Sequence, residues 1–140
     1  MPFVNDLKSV PENSYLIYSA HGVSKQVKSD SDNLKLKSID ATCPLVTKVH
    51  KEVNHYLKNN YEIIMIGHKG HPEVEGTLGQ DLTSKKIHLI ENISDIDLLK
   101  ISDPNKVAYV TQTTLSLDET KDIIEKLKSK FSMIVGPKAD

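Results

Sequence analysis

Six short segments rich in β-branched, aliphatic or aromatic residues punctuate the chain, at 15–19, 34–39, 63–66, 87–90, 107–110 and 133–135. Runs of this length and composition predict strands. Within Glu62-Ile63-Ile64-Met65-Ile66-Gly67 the four residues 63–66 are apolar without a break instead of alternating, the pattern of a strand covered on both faces. Between the second and third segments, Leu45, Val46, Val49, Val53, Tyr56 and Leu57 recur at spacings of three and four. That period places them on one face of a helix over 44–59, with Lys48, Lys51, Glu52 and Lys58 on the other. Ser116-Leu117-Asp118-Glu119 is a capping-box pattern that opens a second helix over 116–131, with Ile123, Ile124 and Leu127 on its apolar face. Gly136-Pro137 then breaks the chain.

Strands alternating with helices predict βαβ units, so the expected fold class is α/β, with mainly parallel sheets and flanking helices. Residues 1–11 match no clear element, and the segment at 133–135 has no following helix to cover it. Parallel strands are normally covered on both faces, which leads to the expectation that the chain is a piece of something longer.

Composition narrows the classes. The 140 residues, 38% of them hydrophobic, suffice for one ordinary core, or for one small domain and part of another. No apolar run approaches the roughly 18 residues of a membrane span, and the N-terminus lacks a signal-peptide layout, so the expected location is cytoplasmic with no membrane partner. A net charge of -1 with interspersed signs offers no field for nucleic acid. The single cysteine, Cys43, excludes an intrachain disulfide.

Cys43 lies in Asp40-Ala41-Thr42-Cys43-Pro44, where a strand hands over to a helix. Proline at the first helical position would leave its sulfur facing the free N–H groups of the helix start, which favours thiolate and makes Cys43 a candidate metal or redox ligand. The alternative is a buried small hydrophobe.

Three further segments follow strand ends, where open α/β sheets bind ligands. Ser19-Ala20-His21-Gly22-Val23-Ser24 sets a histidine before a glycine that permits a tight turn into a helix. In Gly67-His68-Lys69-Gly70-His71-Pro72-Glu73-Val74-Glu75-Gly76, His71 and Glu73 bracket a proline that opens a helix. A donor imidazole and a carboxylate fit for proton transfer thus share one small volume, near helix amides suited to an anion. Val110-Thr111-Gln112-Thr113-Thr114-Leu115-Ser116 ends a strand in hydroxyls and a carboxamide, which hold phosphate oxygens or an alcohol without adding charge. His50, His55 and His88 read as structural or surface residues. His50 and His55, five apart, do not share a helix face. No HExxH, paired CxxC, P-loop or Gly-x-Gly-x-x-Gly run occurs.

In order, Ser19 to Ser24, Asp40 to His50, Gly67 to Thr77 and Thr111 to Ser116 closely resemble the central part of the 4-hydroxy-3-methylbut-2-enyl diphosphate reductase family, LytB/IspH. The resemblance spans about residues 3–137. It implies three similar α/β domains around one iron–sulfur cluster, in an enzyme that reduces an allylic diphosphate alcohol to isopentenyl and dimethylallyl diphosphates in the non-mevalonate pathway. By matching motifs, Cys43 is similar to one of three cysteines that hold a 4Fe–4S cluster. His21 and His71 resemble diphosphate-binding residues, Glu73 the proton donor, and Thr113 a pocket hydroxyl that assists it, with Gln112 as a neighbour. The family also implies an electron-donor protein such as ferredoxin or flavodoxin.

The family's N-terminal cysteine, histidine–asparagine pair, third cysteine and Ser/Asn-rich clamp do not occur in these residues. Residues 1–42 are therefore expected to close a first α/β domain and 43–140 to form nearly all of a second, with the third absent. A companion chain could carry the remainder. Alone the chain is expected to be catalytically silent. Two other readings are a non-catalytic diphosphate-binding module and a zinc site of Cys43, His21 and His71 with Glu73 as base, for which the ligand spacing is wrong.

Overall fold

The computed structural model describes residues 2–137. Its elements run β1 (Tyr15–Tyr18), α1 (Lys25–Asn33), β2 (Lys37–Asp40), α2 (Pro44–Lys58), β3 (Glu62–Ile66), α3 (Pro72–Leu78), β4 (Ile87–Ile90), β5 (Val107–Thr111) and α4 (Leu117–Lys130), with short 3-10 turns at Leu7–Ser9 and Ile93–Leu98. All strand pairs are parallel. β1 pairs with β2 in one sheet, and β3 lies between β4 and β5 in another. The α/β class with parallel sheets and flanking helices is the fold observed.

The unbroken apolar run of β3 has a simple cause. Ile63 and Met65 pack with Val53 of α2 and Val74 of α3, whereas Ile64 and Ile66 pack with Ile123 and Leu127 of α4 on the opposite face. Every residue of β3 is buried. Helices on both faces of a parallel strand leave it no solvent side.

Two predicted strands gain one residue, Glu62 and Thr111, and three shorten. The first stops at Tyr18, short of Ser19. The segment at 34–39 begins instead at Lys37: Leu34 caps α1 through its N–H to Asp30 O, and Lys35 adopts φ 56°. The last, at 133–135, reduces to one bridge, in which Tyr109 N–H donates to Val135 O and Val135 N–H to Val107 O. Ile134 is still held in the turn by Phe131 O, and Gly136-Pro137 follow at once, so no ladder extends.

Candidate functional site

The chain's reactive side chains stand where β1, β2, β3 and β5 end. Cys43 occupies the position before α2, with Pro44 at the first helical place, as the sequence predicts. Its N–H donates to Ala20 O at 3.0 Å and its carbonyl accepts from Thr47, which ties the β1 loop to the start of α2. The thiol is free and half-buried, and makes no hydrogen bond to the helix amides. Next to it, the Thr42 hydroxyl and N–H, more than the nearby Lys28 ammonium, hold the Asp40 carboxyl below its usual range.

Glu73 is buried, 2% exposed, on the first turn of α3. Thr113 binds both carboxylate oxygens: its N–H donates to Oε1 at 2.6 Å and its hydroxyl meets Oε2 at 3.0 Å. Forty residues of chain separate the two, so this contact locks the β3 and β5 loops together. His71 caps α3, its Nδ1 accepting the Glu73 N–H at 3.1 Å. An accepting Nδ1 puts the proton of a neutral ring on Nε2, which leaves an N–H donor facing away from the helix. The His21 ring stands edge-on to His71, with centroids 5.5 Å apart and planes at 80°.

Gln112, also buried, braces the arrangement. Its Oε1 accepts from His68 N–H at 3.0 Å and its Nε2 donates to Thr114 Oγ1 at 2.7 Å. The two loops are therefore joined twice, through Glu73 and Thr113 and through His68 and Gln112. Gly70, at φ 84°, turns the backbone between His68 and His71.

The structure thus gathers His21, His71, Glu73 and Thr113 and sets Cys43 on the adjoining loop. Among the described residues no group of three or more His, Cys, Asp and Glu forms a metal site, so the zinc reading finds no ligand set here. For an iron–sulfur cluster, Cys43 fits as one half-buried sulfur ligand, and these 140 residues hold no second cysteine. His55 is exposed near the end of α2. His88 bonds the Glu62 carboxylate at 2.7 Å, across the opening of β3. Burial pushes Glu62 up, but bonds from His88 and Ser102 outweigh it and hold the carboxyl below its usual value. A cavity of about 600 Å³ opens beside the site, between the start of α1 and α3, and none of His21, His71, Glu73 or Thr113 lines it.

Two buried groups go beyond the motif reading. His50 is buried, not at the surface, and Gln80 bridges the Val23 and Gly76 carbonyls. His50 shares the core stripe of Val46 and Val53, which is a signal the periodicity carries. Gln80 follows a glycine after α3 and carries no comparable mark.

Parallel strands whose ends bring two imidazoles and a buried carboxyl together define an α/β protein with one polar face at its strand ends. The family model described as LytB protein matches residues 2–140. The 4-hydroxy-3-methylbut-2-enyl diphosphate reductase of Ehrlichia ruminantium (strain Gardel) is 56% identical over 135 residues, covering 96% of this chain and 40% of its own length. That of Methylococcus capsulatus is 52% identical over 139 residues, covering 99% and 44%. The structure of the E-1-hydroxy-2-methyl-but-2-enyl-4-diphosphate reductase from Plasmodium falciparum superposes with TM-score 0.91 at 47% identity, over 97% of this chain and 42% of that one. The chain belongs to the LytB family. It spans less than half the length of these relatives.

Proposed function

We propose that this chain forms the diphosphate-binding and proton-delivering face of a 4-hydroxy-3-methylbut-2-enyl diphosphate reductase of the non-mevalonate pathway. The observation that carries the reading is the buried Glu73 carboxyl held by Thr113 N–H and Oγ1 beside the His21–His71 pair. His21 and His71 take the diphosphate through ring N–H donors, in charge-assisted bonds. Glu73 supplies the proton, and the Thr113 hydroxyl, in direct contact with it, orients or passes that proton. Burial keeps bulk water away from the exchange. Cys43 serves as one of the cysteines that hold the 4Fe–4S cluster of the complete enzyme. When bound, that cluster supplies electrons and a Lewis acid for loss of the hydroxyl group.

The remaining elements of the reading belong to the same proposal. The separation of β1–β2 from β4–β3–β5 supports a boundary between residues 42 and 43, with 1–42 closing a first domain and 43–140 forming most of a second. Ferredoxin or flavodoxin is the electron donor, and the cluster cysteines other than Cys43 come from outside these 140 residues. A second reading is a diphosphate-binding module without redox chemistry, supported by an imidazole pair and a Glu73–Thr113 contact that involve no cysteine.

Calorimetric titration with inorganic pyrophosphate tests the face itself. Saturable binding is expected, weakened about tenfold by either His21→Ala or His71→Ala, the loss of one charge-assisted bond. Equal binding by both variants and the unmodified chain would discard the assignment.

A further inference from the structure

The proposed diphosphate face depends on where His21 stands, and His21 is an exposed residue carried on a loop. The loop is held through the next residue. Gly22 has φ 78°, and a Cβ there would lie 2.8 Å from His50 Cε1, 3.1 Å from Val46 Cγ1 and 3.3 Å from Thr42 Cγ2. The turn therefore rests directly on the His50 imidazole of α2. On its other side it meets α3, where a Cβ on Gly76 would come within 3.2 Å of the Gly22 carbonyl oxygen. Gln80 fastens the same junction. Its Nε2 donates to Val23 O and Gly76 O, and its Oε1 accepts from Asn54, which also bonds the His50 carbonyl.

His50 differs from an ordinary core residue. It is 9% exposed, and its Nε2 is shut off from solvent without a hydrogen-bond partner among the described residues. A buried unpaired polar atom is destabilising, a penalty an apolar side chain of similar size avoids. Burial, and then the Lys28 charge, hold this imidazole below the usual histidine range, against the opposing charges of Glu73 and Asp40. A neutral ring beneath the turn adds no cation behind His21.

We propose that His50 is a positioning residue: its buried ring seats the Gly22 turn and so sets the stance of His21 against His71. The consequence for binding rests on the function proposed above, whereas the placement of His21 does not.

NMR of the 140-residue chain with labelled histidines separates the two. A nuclear Overhauser contact between the His21 and His71 rings is expected in the unmodified chain. His50→Ala should abolish it and move the His21 ring resonances, with the methyl spectrum of β3 and the far-ultraviolet circular dichroism retained. Pyrophosphate affinity should fall about tenfold. Gly22→Ala should do the same, because its methyl meets the ring and φ 78° strains any L side chain. In Gly22→Ala/His50→Ala the methyl enters the space the ring has left, so part of the contact returns and the two changes are not additive. A folded His50→Ala with His21 resonances and the ring contact unchanged overturns the proposal, as does additivity in the double variant. If His50→Ala fails to fold, His50→Asn takes its place under the same criteria. Failure of the unmodified chain to bind pyrophosphate would reject the functional reading and leave the ring contact to decide the placement of His21.

Discussion

Glu73 illustrates how little of a site's geometry need come from the element that bears it. Its helix has seven residues, and both carboxylate oxygens are held by Thr113 from another loop. Thr113→Val keeps the bond from the backbone and removes the hydroxyl. The expected loss is about 1–3 kcal/mol of stability, because a buried Glu73 oxygen is left without its partner, measured by urea denaturation. His71 and Glu73 are legible in the sequence because Gly, His, Pro and Glu cluster within a few positions. His50 is harder to read, since its meaning depends on a glycine 28 positions away that no local pattern connects to it. The ring makes a second prediction at this scale. Its folded pKa lies below the usual 6.5, so on acidification the unfolded chain takes up the proton first. The stability this neutral ring contributes is present above pH 6.5 and is lost as pH falls from there through the folded pKa. The unfolding free energy of the unmodified chain should therefore decline over that window more steeply than that of His50→Leu, in denaturant titrations at successive pH values.

Elements were readable in proportion to how much apolar surface they bury. β3 and α2 sit inside the core, and their hydrophobic patterns follow from having helices on both faces of the sheet or one stripe against it. α1, by contrast, is Lys-Gln-Val-Lys-Ser-Asp-Ser-Asp-Asn, with one apolar residue and no period to detect. Its start is marked instead by Ser24, whose Oγ accepts the Val27 N–H. The strand expected at 133–135 failed for the opposite reason. Its residues are strand formers, but a turn at Phe131 and the following Gly136-Pro137 leave room for one bridge only. Capping chemistry was the most transferable signal. Ser116 and Glu119 exchange both bonds of the capping box, as the four-residue pattern requires. Ser116→Ala should lower stability by about 1 kcal/mol, read from thermal melting, without altering pyrophosphate affinity.

At the scale of the whole molecule, the two sheets differ in how completely they are covered. β3 is buried throughout, whereas every residue of β2 is exposed, and Tyr15, Ile17 and Ile39 present apolar surface from the β1–β2 pair. Parallel sheets are normally covered on both faces, so this pair relies on α1 and on the Gly22 junction to stay attached. Cys43 lies at that junction, its N–H bonded to the loop after β1 and its carbonyl to α2. A cysteine placed there would offer one ligand to a cluster. One such ligand does not retain four irons, each of which seeks a ligand of its own. Anaerobic reconstitution of the chain with iron and sulfide should therefore leave less than one 4Fe–4S cluster per chain after desalting, as measured by iron content and visible absorption. Pyrophosphate binding should persist, because His21, His71 and the Glu73–Thr113 contact involve no iron. Cys43→Ser separates the two properties: it should remove the residual iron and leave the pyrophosphate affinity within about twofold. A full cluster retained by the single chain would mean that ligands other than cysteine complete the site, and the assignment of Cys43 as one member of a three-cysteine set would fall.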